Sequence, residues 1–243
     1  MKTVLHKAAT RGHANHGWLD TSHTFSFANY YDPTRMHFGA LRVLNDDFVD
    51  GGMGFGTHPH DNMEIISIPL AGDLEHRDSM GNKTVIRQSD IQILNAGTGI
   101  SHSEYNKNAD KKVNFLQIWV FPKVKNIVPS YSQITLNPED RINKLQQVVS
   151  PSKENGSVWI NQDAWFHLGT LKKGFQTEYV IKQKGNGVYF FVIEGDVTIN
   201  LPTGQAGGQK LNKRDGLGVW DTDKLSISAD SDTEVLLMDI PME

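Results

Sequence analysis

Two short clusters carry the side chains best suited to chemistry: His58-Pro59-His60 and His102-Ser103-Glu104. Each places two metal-capable groups at i and i+2, which on a β-strand project from the same face. If the two strands face each other, three imidazoles and one carboxylate converge. That N3O set suits divalent Fe, Ni, Co, Cu, Mn or Zn, with geometry selecting among them. Zinc would close a four-ligand tetrahedron, whereas iron, preferring about six ligands, would keep two positions open. With one carboxylate the site stays near +1, which favours an anionic oxygen ligand such as a phenolate or enolate and lowers its pKa. Glu64, close behind the first cluster, is a further carboxylate within the same stretch.

The elements that must position these residues read as strands. Short apolar runs such as Ala40 to Asn45, Met63 to Pro69, Ile91 to Leu94 and Phe115 to Phe121 alternate with glycine- and aspartate-rich turns, as in an all-β sandwich or barrel. Asp46-Asp47 reads as the start of a turn, and 125–144 as a connector holding one helical turn capped by Asn137. A later strand is expected over Val197 to Leu201. An internal repeat sets the domain count. Ile68 to Asp73 parallels Phe191 to Asp196, Asp90 parallels Asp215, and Leu116 to Pro122 parallels Val235 to Pro241. Two barrels of one design follow: 1–124, then the connector, then 145–243. In the second copy, Ile181, Gln183 and Ile227 stand where His58, His60 and His102 stand in the first. None is a metal ligand, so the second barrel is expected to be metal-free, with its lone His167 in a core or surface role.

Composition removes other classes. The 243 residues carry a net charge of -4 and no basic run, which argues against nucleic-acid binding. There is no cysteine, so disulfides, thiolate metal sites and cysteine nucleophiles are excluded. The first residues lack the apolar core of a secretory signal, and no apolar stretch reaches membrane-spanning length, so a cytoplasmic protein is the expectation.

The order G-x5-H-x-H-x3-E from Gly52 to Glu64, followed by G-x-G-x2-H-x3-N from Gly97 to Asn106, resembles the two motifs of the cupin superfamily. Arg11-Gly12-His13, His16-Gly17-Trp18-Leu19, His23 to Phe27, Gly56 to His60 and Ala96 to Glu104 narrow the likeness to the pirin family, and within it to the short bacterial pirin-like bicupins. The resemblance spans nearly the whole chain and is strongest from Arg11 to Pro122. It implies an all-β bicupin of two jelly-roll-like barrels, with His58, His60, His102 and Glu104 as the ligands of one metal, Fe(II) first among the candidates. Glu64 fills a place where many other cupins keep a glutamate ligand and pirin-like proteins usually do not, so it ranks second.

The family includes quercetin 2,3-dioxygenases, which open a flavonol ring and release carbon monoxide. That reading makes a small aromatic substrate and O2 the partners of a monomer, with Glu104 as the base for the flavonol hydroxyl and Glu64 as the alternative base. Phe25 and Phe27 are expected to wall the metal pocket, favouring a flat apolar substrate over the sugar of an isomerase. The competing expectation is a metal- or redox-sensing protein that modulates a protein partner.

Overall fold

The computed structural model describes residues 1–152, 156–200 and 208–243. Among these residues nearly all regular structure is β, arranged as two seven-stranded and two four-stranded sheets. In the first barrel, the large sheet runs Ser130–Thr135, Asp90–Asn95, Glu64–Ala71, Val113–Val120, Leu41–Val49, Leu19–His23 and Gly12–Asn15. The small sheet packed against it runs Gly54–His60, Ile100–Asn106, Leu74–Asp78 and Lys83–Ile86. The second barrel repeats this plan, as the internal repeat requires.

Side-chain alternation divides the first large sheet into two faces. Ile66, Ile68, Leu116 and Ile118 point outward and pack with Phe166, Phe191, Leu236 and Met238 of the second barrel. The core therefore lies between the two large sheets. On the inner face, Leu19, Val113 and Phe115 meet Leu74 and Ile86 of the small sheet and close one end of the barrel. Ile65 and Leu94 meet Ile100 and close the other end. The histidines lie between these two apolar plugs.

Several local expectations are corrected. Asp46 and Asp47 do not begin a turn, because the strand continues to Val49. Each acid is partnered: Asp46 with Arg214 at 2.9 Å, Asp47 with the Thr21 hydroxyl. Sheet membership also departs from the boundaries read at 124 and 144. Lys2–His6 pairs with Gly216–Trp220 and so belongs to the second barrel, while Ser130–Thr135, within the expected connector, pairs with Asp90–Asn95 of the first. Both are sheet-edge strands, where a polar sequence is tolerated because one side faces solvent. The helical turn forms at Pro138–Arg141, with Asn137 accepting from the Glu139 N–H at 3.2 Å. The strand expected to reach Leu201 is seen over Asp196–Asn200, and Leu201 lies outside the described residues.

The second barrel has a filled interior: Tyr179, Phe190, Val192, Leu225, Ile227 and Leu237 pack in one cluster. Strand pairing places Thr177, not Ile181, opposite Ile227, and Ile181 and Gln183 lie beyond the end of the Gln176–Val180 strand. His167 is buried, with its ring 5.0 Å from that of Tyr179.

Candidate metal centre

Neighbouring strands of the small sheet bring the two clusters together. His102 lies directly opposite His58, and Ile100 opposite His60. The ring centroids of His58 and His102 are 4.5 Å apart, and those of His60 and His102 are 5.0 Å apart. One nitrogen from each of His58, His60 and His102 lies within 4.8 Å of the others. Glycines shape both approaches. Gly97 has φ 48°, and a Cβ there would sit 2.1 Å from the Ile127 carbonyl oxygen, so the turn leading into Ile100–Asn106 requires glycine. The pairing shifts register between His102 and Glu104, a β-bulge of the kind that re-aims side chains beside functional sites. There the His58 Nδ1 lies 2.7 Å from the Gly56 carbonyl and donates to it, leaving the Nε2 lone pair free.

Burial, reinforced by the neighbouring imidazoles, lowers the His60 pKa to about 4 and the His102 pKa to about 3. Both rings are thus neutral near pH 7. His60 Nε2 and both nitrogens of His102 are buried without a hydrogen-bond partner. Such groups are costly unless something binds them, and uncharged imidazole nitrogens converging with a carboxylate fit a divalent transition-metal ion.

Glu104 is fixed from the large sheet. Gln117 Nε2 donates to its Oε2 at 2.6 Å, and Ser67 Oγ lies 2.9 Å from its Oε1. These partners belong to a polar row that crosses the inner face in register: His23, Asn45, Gln117, Ser67 and Gln92. Ser67, Gln92 and Gln117 each interrupt a largely apolar strand, and that interruption was the available sequence signal. A second group not singled out from the sequence is His76, opposite Glu104. It is fully buried and 3.0 Å from Asp78, and it offers a nitrogen within 4.8 Å of donor atoms of His102 and Glu104.

Glu64 goes elsewhere. It is three residues before Ser67 and so on the opposite face of its strand. Its Oε2 accepts from the Asn161 N–H of the second barrel at 3.0 Å and from the Asn95 side chain. It belongs to neither donor cluster, so its expected role as second-choice ligand or base has no geometric footing. The aromatic wall is also revised. Phe27 meets Trp119 edge-on at 5.3 Å, but Phe25 packs against His6 and Tyr189 in the core between the barrels. The Leu19–His23 strand ends before either residue, so the alternation expected of a strand does not apply.

Beside His58 and Glu104 lies a cavity of about 210 Å³, walled by Phe27, Phe55 and Trp119. A groove of about 690 Å³ also borders His102, but its Glu75 and Lys107 pair with each other at 3.0 Å on an open surface. The smaller cavity joins an apolar aromatic wall to a carboxylate and an imidazole, the composition expected of a small-molecule site.

Comparison with known proteins agrees with this picture. A profile of the Pirin family matches residues 4–120, and one described as the Quercetinase C-terminal cupin domain matches residues 147–240. The chain is 48% identical to the quercetin 2,3-dioxygenase of Escherichia coli (strain K12), over 98% of each chain. It is 39% identical to a pirin-like protein of Caulobacter vibrioides, over 94% of this chain and 95% of that one. A crystal structure of the bacterial pirin YhhW from Escherichia coli in complex with nickel(II) superposes with a TM-score of 0.91 at 46% identity, covering 99% of each chain.

Proposed function

The chain belongs to the pirin family, and from that premise we propose that it is a metal-dependent dioxygenase that cleaves a flavonol such as quercetin with release of carbon monoxide. The observation that carries this reading is the cluster of His58, His60 and His102, which shares His102 with a second cluster containing Glu104, beside an aromatic-walled cavity. His58, His60, His102 and Glu104 are the proposed ligands, and Fe(II) is the proposed ion. When bound, the ion would supply Lewis acidity toward an enolate oxygen and a redox centre for dioxygen chemistry.

The remaining work falls to the protein. Phe27, Phe55 and Trp119 form a wall against which a flat aromatic can lie, and it excludes water. Glu104 faces the same cavity and is the proposed base for the enol proton. Ser67 and Gln117 hold its two oxygens in place, so the carboxylate is oriented before substrate arrives. All of these groups come from one chain, so a monomer suffices. No helix among the described residues is long and apolar enough to cross a membrane.

The test is to load purified protein with Fe(II), add quercetin in air, and follow its absorbance together with carbon monoxide. Consumption that requires both metal and oxygen is the expected result. Quercetin left untouched by metal-loaded protein would overturn the reading and leave a metal-sensing binding protein in its place.

A further inference from the structure

The cavity beside Glu104 has two unlike kinds of wall. One is aromatic, formed by Phe27, Phe55 and Trp119. The other is a polar patch on two adjacent strands, with Thr21 opposite Asp47 and His23 opposite Asn45. Asp46 and Asp47 illustrate how the sheet divides their tasks. Asp46 turns outward to Arg214 and Arg11 at the barrel junction, while Asp47 turns inward and lines the cavity.

Internal bonding leaves the patch incomplete. The Thr21 hydroxyl donates to Asp47 Oδ1. Asn45 Oδ1 and His23 Nδ1 are buried and have no partner at full hydrogen-bond geometry, only the weaker interaction of these two facing side chains with each other. Asn45 is 2% exposed and His23 is 4% exposed, so bulk water does not compensate them. A buried polar atom without a full partner is costly, and a ligand hydroxyl can recover that cost. Burial, with smaller contributions from Asp46 and Glu104, raises the Asp47 pKa to about 7. At neutral pH its carboxyl is therefore available both as donor and as acceptor.

We infer that Asp47, Asn45, Thr21 and His23 form a recognition surface for aromatic hydroxyls other than the reacting enol, so that the cavity selects flat polyhydroxylated aromatics over analogues lacking those hydroxyls. The assignment rests on the dioxygenase reading for the enol end of the ligand and on this patch for the other.

The experiment measures binding apart from turnover. Nickel(II)-loaded protein kept free of oxygen is titrated with quercetin and with 3-hydroxyflavone, which retains the enol but lacks the other hydroxyls. Quenching of tryptophan fluorescence reports occupancy, since Trp119 lines the cavity. Wild type should bind quercetin at least about 10-fold tighter. Asp47→Leu and Asn45→Val should each bring the ratio to within about 3-fold by weakening quercetin alone, whereas Asp47→Asn, which keeps a donor and an acceptor, should preserve it. Circular dichroism identifies any variant that fails to fold, and the remaining variants then decide. A wild-type ratio near one, or a ratio unmoved in the folded Leu and Val variants, overturns the inference. If the ratio behaves as expected yet quercetin survives in air with Fe(II)-loaded protein, the dioxygenase reading fails and the recognition surface stands. If quercetin is turned over but the ratio is near one, the recognition surface fails and the dioxygenase reading stands.

Discussion

Gln117 donates to Glu104 across the barrel at 2.6 Å, joining the large sheet to the small one at the candidate metal centre. The bond gives Glu104 one orientation while its other oxygen meets Ser67. Gln117→Leu removes this support without touching any proposed ligand. Outer-shell partners of this kind typically contribute about 10–100-fold in metal affinity or activity. Competition with a chelating dye should show a weakening of that order, and unchanged affinity and turnover would remove Gln117 from the site's machinery.

Glu104→Gln should lower turnover by more than it lowers metal occupancy. The amide still presents an oxygen but cannot accept the substrate proton, and loss of a general base typically costs about 10²–10⁴-fold. Steady-state rates normalised to bound metal provide the check. A fall only in proportion to metal would make Glu104 a ligand and nothing more.

Glu64 and Glu104, both buried, should separate cleanly. Elemental analysis should find one metal per chain, lost in His58→Ala and in His102→Ala. Glu64→Gln should keep its metal, and Glu64→Leu should keep it too but lose stability. Leucine would leave the Asn95 side-chain N–H and the Asn161 N–H without their shared acceptor, at a cost of about 1–3 kcal/mol. Metal loss from a well-folded Glu64→Gln protein would contradict the assignment.

Acid should weaken the second barrel through His167. Burial lowers its pKa from 6.5 to about 4. Above 6.5 the ring is neutral in both folded and unfolded chains, and its contribution does not change with pH. As pH falls from 6.5 toward 4, the unfolded chain takes up a proton that the folded barrel refuses, so stability drops, by at most about 1.4 kcal/mol per pH unit for this group. Urea midpoints of the metal-free protein should therefore fall through that window. In His167→Gln the fall should be shallower by up to one proton's worth, and an identical slope would contradict the account.

Much of this architecture is legible in the sequence because period-2 alternation and turn residues are local signals. The paired His-x-His and His-x-Glu clusters are legible for the same reason, since spacing alone puts each pair on one face. What escaped depends on partners far away in the chain. Gln117 and Ser67 look like minor interruptions of apolar strands, and only the register of those strands shows that they hold one carboxylate. Glu64 could be separated from the site only once the opposite face of its strand was seen to meet Asn161. Residue offsets carried from one barrel to the other misplaced the counterparts of His58 and His60, because connecting loops of different length shift the second copy's pairing.

The Lys2–His6 strand has a consequence for how the molecule is made. It completes the edge of a sheet whose other strands are encoded at the far end of the chain. On the ribosome it emerges long before its hydrogen-bonding partner Gly216–Trp220. The first barrel has all of its own strands long before then and can form while the second is still being translated. The opening segment must meanwhile wait unpaired, and docking it closes a loop of nearly the whole chain, the kind of distant contact that slows folding. The second barrel's sheet is thus completed late, by a segment translated ahead of the strands it joins.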